Sequence, residues 1–330
     1  MAAGAEPVAA ARAQSRQRRA RAGDAAAATW VQRVEYAVVR AVAAVLAALP
    51  LGVALRLGAM VGTLVYLLSW PHRRIGMRNL AIAFPERSLA ERRRILRHSL
   101  QNLGRTAVEF VRVPRMSDDE LRQMVRFEDE AWWAEAITRE RPTGALILSG
   151  HFGNWELLVY AHGRRGHPVT MVHRGIANPL IDRWLNDIRA RAGTKLVRKA
   201  RAATGVLRAL KHGDLLVLPF DQNSTRGLAV FVPFFGLAAA TNSGIARIAL
   251  RSGAPVVPAF IVRQGRSGQH VVHVLPILEA EHTGDFERDV VYNTERFSRV
   301  FEDMVRRYPE QWLWVHRRWK TRPPGEARFY

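Results

Sequence analysis

The first place where this chain offers chemistry is a histidine set between glycines. Gly150-His151-Phe152-Gly153-Asn154-Trp155-Glu156 follows a short apolar run at 145–149. If that run is a strand, His151 stands at its carboxyl end, where open α/β sheets place their ligands. The glycines permit a sharp turn, and Asn154 is suited to cap the helix that begins after it. Glu156 then falls in the first helical turn, where its carboxylate could accept a hydrogen bond from one imidazole nitrogen. The other nitrogen would be left as an oriented general base. The spacing alone is weak evidence, because 11 histidines among 29 acidic residues give about one His-x4-acid match by chance. A second match, His282/Glu287, sits in the polar segment Glu281-His282-Thr283-Gly284-Asp285 with no strand before it, and reads as a solvated loop. A helix-capping or core histidine is the competing reading of His151.

Two further strand ends add polar groups. The run at 169–173 is followed by Arg174-Gly175, and that at 215–220 by Asp221-Gln222-Asn223-Ser224-Thr225-Arg226-Gly227. An apolar stretch containing Phe231, Phe234 and Phe235 comes next. It reads equally as core or as a wall for a greasy substrate.

The elements that must position these groups alternate along the chain. Short β-rich runs at 145–149, 169–173, 215–220, 256–262 and 271–275 are separated by helical patterns near 154–163, 179–192, 200–212 and 242–252. A long helix is expected at 286–308. Before them come a charged amphipathic helix over 88–112, with Ser88 and Glu91 as a capping box, and shorter helices at 118–125 and 128–140. Such alternation predicts an α/β fold with a largely parallel sheet flanked by helices.

Charge and hydropathy organise the N-terminal part. The chain carries 50 basic and 29 acidic residues, a net +21, with only four lysines. A field this positive favours nucleic acid or an anionic membrane surface. Residues 1–29 read as a disordered basic arm rather than a signal peptide, since no A-x-A site closes the apolar run after them. From Ala41 to Pro71 the only charge is Arg56, but Pro50 and Gly52 also interrupt the stretch. It reads as a kinked transmembrane helix, a pair of interfacial helices, or an Ala-rich hairpin in a soluble core. A basic arm ahead of it fits a cytoplasmic N-terminus. The expected organisation is therefore a basic arm to residue 29, a membrane-associated helical segment at 30–75 and a catalytic α/β domain at 76–330. Without cysteine, disulfides and thiolate chemistry are excluded. No G-x-S-x-G, H-E-x-x-H or Walker A pattern is present, nor any helix-turn-helix, zinc-finger or RNA-recognition signature.

An ordered series of motifs resembles the bacterial lipid A biosynthesis acyltransferases, within the lysophospholipid and glycerol-phosphate acyltransferase superfamily. It comprises Arg78-Asn79-Leu80 with Ala83-Phe84-Pro85-Glu86, the His151–Glu156 block, His173-Arg174 with Asn178-Pro179-Leu180, Asp221-Gln222 with the 231–236 stretch, Val257-Pro258, and Tyr308-Pro309-Glu310-Gln311-Trp312-Leu313-Trp314-Val315-His316-Arg317-Arg318-Trp319-Lys320. The resemblance implies a glycerol-phosphate-acyltransferase-like fold. It implies transfer of an acyl chain from acyl carrier protein (or coenzyme A) to a hydroxyl of a lipid A precursor. Lysophospholipids and phosphatidylinositol mannoside-type glycolipids are alternative acceptors, and a nucleic-acid-binding protein is the distant alternative. His151 and Glu156 would be the catalytic pair, with backbone N–H groups near Gly153 receiving the oxyanion. Asn154, Arg174, Asp221, Gln222, Arg226, Phe231, Phe234 and Phe235 would contact substrate. The third block departs from the superfamily's Phe-Pro-Glu-Gly-Thr-Arg, reading Pro219-Phe220-Asp221-Gln222-Asn223-Ser224-Thr225-Arg226. No metal or cofactor is expected. The expected partners are acyl carrier protein, a phosphorylated glycolipid and an anionic membrane surface, with no nucleic acid. The expected location is the inner membrane, catalytic domain on the cytoplasmic side.

Overall fold

The computed structural model describes residues 28–330 apart from 129–130, 132–133, 135–143, 199–201, 226 and 228. Most of the expected basic arm, most of the helix expected over 128–140, and Arg226 lie outside the described residues.

The alternating runs become a seven-stranded sheet ordered β1-β9-β8-β2-β5-β3-β4. Its strands are β1 Val125–Glu128, β2 Ala145–Ser149, β3 Val169–His173, β4 Lys195–Arg198, β5 Leu215–Pro219, β8 Val256–Arg263 and β9 His270–Val274. Only the β8–β9 pair is antiparallel. β2 and β8 are buried along their whole length. That is why they read as continuous apolar runs rather than alternating ones. β1 and β4 escaped the sequence reading; they are four-residue strands at the sheet's two edges, too short for a pattern.

The 231–236 stretch forms the end of strand β6 Ala229–Phe234 and the turn that joins it to β7 Leu237–Asn242 in a hairpin. The turn residues Phe235 and Gly236 both take positive φ, 50° and 74°, as a two-residue hairpin turn requires.

The N-terminal part is helical: α1 Trp30–Ala48, α2 Leu51–Leu68, α3 Trp70–Ala83 and α4 Leu89–Arg112 come first among the described residues. α4 begins with the expected capping box, Ser88 and Glu91 satisfying each other's backbone N–H groups. The chain breaks at Pro50 and again at Ser69, so the apolar region is divided among separate helices rather than continuous. The boundary expected at 75/76 falls inside α3. α5 Asp118–Met124, α6 Trp155–Arg164, α7 Pro179–Ala190, α8 Ala202–Lys211, α9 Gly244–Ser252 and α10 Phe286–Arg307 follow among the described residues.

α2 divides into two faces. Ala54, Leu55, Gly58 and Gly62 are buried, and Gly58 and Gly62 meet α4. A Cβ on Gly104 would stand 2.0 Å from the Gly58 carbonyl oxygen, and one on Gly62 would stand 2.2 Å from that of Leu100. Only glycine allows the two backbones to approach so closely. The opposite face leaves Val53, Met60, Val61, Leu64, Leu67 and Leu68 exposed. α2 is the one helix among the described residues long and apolar enough to cross a membrane.

This crossing yields a prediction. Gly104→Leu should cost about 1–3 kcal/mol of stability or more through overpacking. Gly52→Ala, where an added Cβ meets nothing within 4 Å, should leave the unfolding midpoint near that of the unsubstituted protein. Equal midpoints for both variants would contradict the packing described.

Candidate active site

The turn after β2 is shaped by its two glycines for separate reasons. A Cβ on Gly150 would lie 2.6 Å from Asp221 Oδ1, so glycine there makes room for a carboxylate. Gly153 has φ +56°, and a Cβ on it would meet the Ile261 carbonyl oxygen at 1.7 Å. No other residue passes through that gap without moving β8. The segment is also stitched to the C-terminal region. Gly153 N–H donates to the Gln311 carbonyl at 2.8 Å, and Leu313 N–H donates to that of His151 at 3.2 Å.

His151 is thereby presented beside the loop after β5. Its Nδ1 lies 3.0 Å from Asp221 Oδ1. A carboxylate only accepts, so Nδ1 carries the proton and Nε2 is free to act as a base. The other oxygen, Asp221 Oδ2, accepts from the Trp312 indole N–H at 2.9 Å. The ring edge of Trp155 and the side-chain amide of Gln222 complete the surroundings. The Gln222 amide nitrogen sits 3.3 Å and 3.4 Å from the two imidazole nitrogens, against the ring.

The electrostatics follow from this contact. Burial pushes the Asp221 carboxyl up, but the charge of His151 and hydrogen bonds from His151 and Trp312 outweigh it and hold it at about 2. For His151, burial favours the neutral ring. The Asp221 charge and hydrogen bond, helped by the charge of Glu156, overcome this and raise its pKa above the ordinary imidazole value.

Glu156 is a correction to the sequence reading. It does not hydrogen-bond His151. Its carboxylate takes two bonds from Arg189 of α7, at 2.9 Å from Nε and 2.5 Å from Nη2. The first turn of α6 turns this side chain toward α7, where Arg189 is mostly buried and needs a counter-charge. Glu156 therefore acts on His151 through space, and the carboxylate in contact comes from 70 residues further along the chain.

Other expected site residues have different surroundings too. Asn154 is fully buried. Its Oδ1 caps α6 by accepting from Leu157 N–H at 3.0 Å, and its amide donates to Glu109 at 2.7 Å. It is structural, not a substrate contact. Glu109 in turn binds Arg263 and His270, a buried ionic cluster under the site. Phe234 and Phe235 pack against Phe84, Phe301 and the C-terminal tryptophans; burial in that core keeps them from forming an open wall, and Phe231 is half-buried in β6. Of the backbone N–H groups near Gly153, that of Phe152 donates to the Gly150 carbonyl and that of Gly153 to the Gln311 carbonyl, each at 2.8 Å. Arg174 stands exposed just past β3, at the same end of the sheet as His151.

Two braces escaped the sequence reading. Trp312 holds Asp221, and His316 Nε2 accepts from Asn223 N–H at 2.9 Å, fixing the loop that carries Asp221 and Gln222. Burial keeps the His316 pKa below the ordinary value, which suits an acceptor. Trp312, Trp314 and Trp319 are all buried, so the aromatic residues of the C-terminal motif pack inside. Its residues were conspicuous as a motif, but no local spacing linked them to His151.

An imidazole held by a buried carboxylate at the carboxyl end of a mostly parallel sheet is equipped to deprotonate a hydroxyl or a water. Comparison with known proteins narrows this. The family described as bacterial lipid A biosynthesis acyltransferase matches residues 27–321. The chain is 31% identical over 291 residues to the lipid A biosynthesis lauroyltransferase of Escherichia coli strain K12, covering 86% of this chain and 90% of that one. The lipid A biosynthesis palmitoleoyltransferase of the same organism is 27% identical over 283 residues, covering 86% and 90%. The crystal structure of the 1-acyl-sn-glycerophosphate acyltransferase of Thermotoga maritima superposes with TM-score 0.35 at 15% identity, covering 77% of this chain and 97% of that one. The chain belongs to the bacterial lipid A biosynthesis acyltransferase family and is an acyltransferase.

Trp312→Phe keeps an aromatic ring in the core but removes the N–H that satisfies Asp221 Oδ2. An unpaired buried carboxylate oxygen should cost about 1–3 kcal/mol, read as a lower denaturation midpoint together with reduced transfer activity. Unchanged stability and activity would show that this brace is idle.

Proposed function

We propose that the protein transfers a fatty acyl chain from an acyl carrier protein thioester to a hydroxyl of a lipid A precursor, with His151 as general base. The observation that carries the reading is the His151–Asp221 contact in a chain of this family. The acceptor hydroxyl gives its proton to His151 Nε2 as its oxygen bonds to the thioester carbonyl carbon. Asp221 holds the ring in the Nδ1–H tautomer and stabilises the imidazolium that forms. Collapse of the tetrahedral intermediate breaks the C–S bond, and the proton on His151 passes to the departing thiolate. Glu156 adds negative charge near the ring while it secures α7 through Arg189.

A thioester is already activated, so the reaction as written calls for no metal or cofactor. Arg174 is the cation we assign to the acceptor's phosphate, since guanidinium pairs with phosphate in a bidentate manner. The surplus of arginine favours docking of an acidic carrier protein. The exposed apolar face of α2 supports contact with the inner membrane from the cytoplasmic side, in keeping with the basic residues before it.

The test is a transfer assay with labelled acyl–acyl carrier protein and an under-acylated lipid A precursor. Label should reach the precursor with the wild-type protein and fall by roughly 10²–10⁴-fold with His151→Ala. A folded His151→Ala protein of undiminished activity would overturn the mechanism. Transfer to a lysophospholipid instead of the precursor would overturn the acceptor.

A further inference from the structure

A second site lies away from His151. α2, α4 and the hairpin between β8 and β9 line an open cleft of about 800 Å³, within the range of small-molecule sites. Its two walls differ in chemistry. α2 supplies Leu51, Leu55 and Met60, whereas α4 supplies Arg97 and Arg105 and the hairpin supplies Arg266, with Arg56 also lining it. None of the lining residues is acidic. The carboxylate one turn beyond Arg105, Glu109, is already paired with Arg263 and His270. Arg56, Arg97 and Arg266 have no hydrogen-bond or ion-pair partner among the described residues. Arg105, buried at 6% exposure, has one, the Asn102 side chain at 3.0 Å.

Four guanidinium groups around one cavity without a carboxylate make a site that lacks an anion. Burial and the neighbouring arginines together push both Arg105 and His98 below their ordinary values, and the Glu109 charge offsets this at Arg105 only in part. The size and the apolar wall exclude a bare ion as the natural occupant. A phosphate would fill a small part of 800 Å³ and leave Leu51 and the exposed Met60 uncovered. Met60 is also among the exposed apolar residues of α2, so chains leaving the cavity would pass directly onto the helix's apolar face. None of the lining residues belongs to the surroundings of His151, so this is a separate site from the acyl-transfer centre.

We propose that this cavity binds the phosphate head group of an anionic bilayer phospholipid, with the arginines on the phosphate and the acyl chains along α2. The protein would then be anchored by a specific lipid contact as well as by apolar insertion.

The experiment follows the thermal unfolding midpoint of the full chain in an uncharged detergent. The probes are dihexanoyl phosphatidylglycerol, dihexanoyl phosphatidylcholine and inorganic phosphate. Phosphatidylglycerol should raise the midpoint in a saturable manner, and the other two should do so by less than half as much. Replacing Arg56, Arg97 and Arg266 together by Gln should weaken the apparent affinity for phosphatidylglycerol tenfold or more. Replacing the exposed Arg288, Arg307 and Arg328 by Gln, an equal change in charge outside the cavity, should alter it less than twofold. Ala59→Phe narrows the cavity without touching charge and should produce the same loss, which keeps the test valid should the triple variant misfold. The proposal fails if the cavity variants bind as well as wild type. It fails if both triple variants lose affinity equally, or if inorganic phosphate alone gives the full shift. Binding is read without turnover, so failure here is distinguishable from failure of the transfer reaction.

Discussion

The structure depends on a buried carboxylate that has to be satisfied on both oxygens. Asp221, 4% exposed, would be a heavy liability without partners, because an unpaired charge in a low-dielectric interior forces either protonation or rearrangement. It has two partners, the His151 imidazole and the Trp312 indole. Each comes from a distant part of the chain, so one contact fixes the turn after β2, the loop after β5 and the C-terminal segment together. Gly150 leaves the space in which this can happen.

The remaining architecture supplies rigidity to that junction. α3 and α4 grip the C-terminal segment by its backbone. Asn79 donates to the carbonyls of Trp314 and His316 at 2.6 Å and 2.7 Å, Ser99 to that of Trp312 at 2.5 Å, and Asn102 to that of Glu310 at 3.0 Å. Three buried tryptophans and the phenylalanines of the hairpin and α10 fill the space behind it. Asn79, in the motif Arg78-Asn79-Leu80, thus serves the active site from across the molecule. α2 keeps its exposed apolar face outward while it packs through glycine contacts on α4, one of the elements that brace the base.

Much of this was legible in the sequence where the signal was local. The strands at 145–149 and 169–173, the capping box at Ser88 and the long helix starting at 286 all follow from period, propensity and caps, and the structure has them. His151 was placed at a strand end correctly. Its partner was not, because Glu156 satisfies the spacing argument while Arg189, 33 residues away, claims its carboxylate. Asp221 was visible as a polar group at a strand end, but no local pattern reports a contact across 70 residues. The parallel pairing of β2 with β5 is the physical link, since it brings the two strand ends side by side. Asn154 reads from its local context as a helix cap, and the structure has that cap, whereas the burial of Phe234 and Phe235 rests on aromatic partners as distant as Phe84 and Trp314 that no local pattern reports.

The central claim is that Asp221, rather than Glu156, is the carboxylate that sets the base. The pH dependence of kcat/KM for wild type, Asp221→Asn and Glu156→Gln tests it most directly. In the wild type the acid limb should lie above the ordinary imidazole pKa, because the neighbouring carboxylates stabilise the imidazolium. Removing the Asp221 charge removes most of that stabilisation. The limb should then move to lower pH while the plateau falls by roughly 10²–10⁴-fold. Glu156→Gln should move the limb in the same direction but less, with a smaller loss of rate. A collapsed plateau and shifted limb in Glu156→Gln, beside near-normal behaviour in Asp221→Asn, would contradict the account.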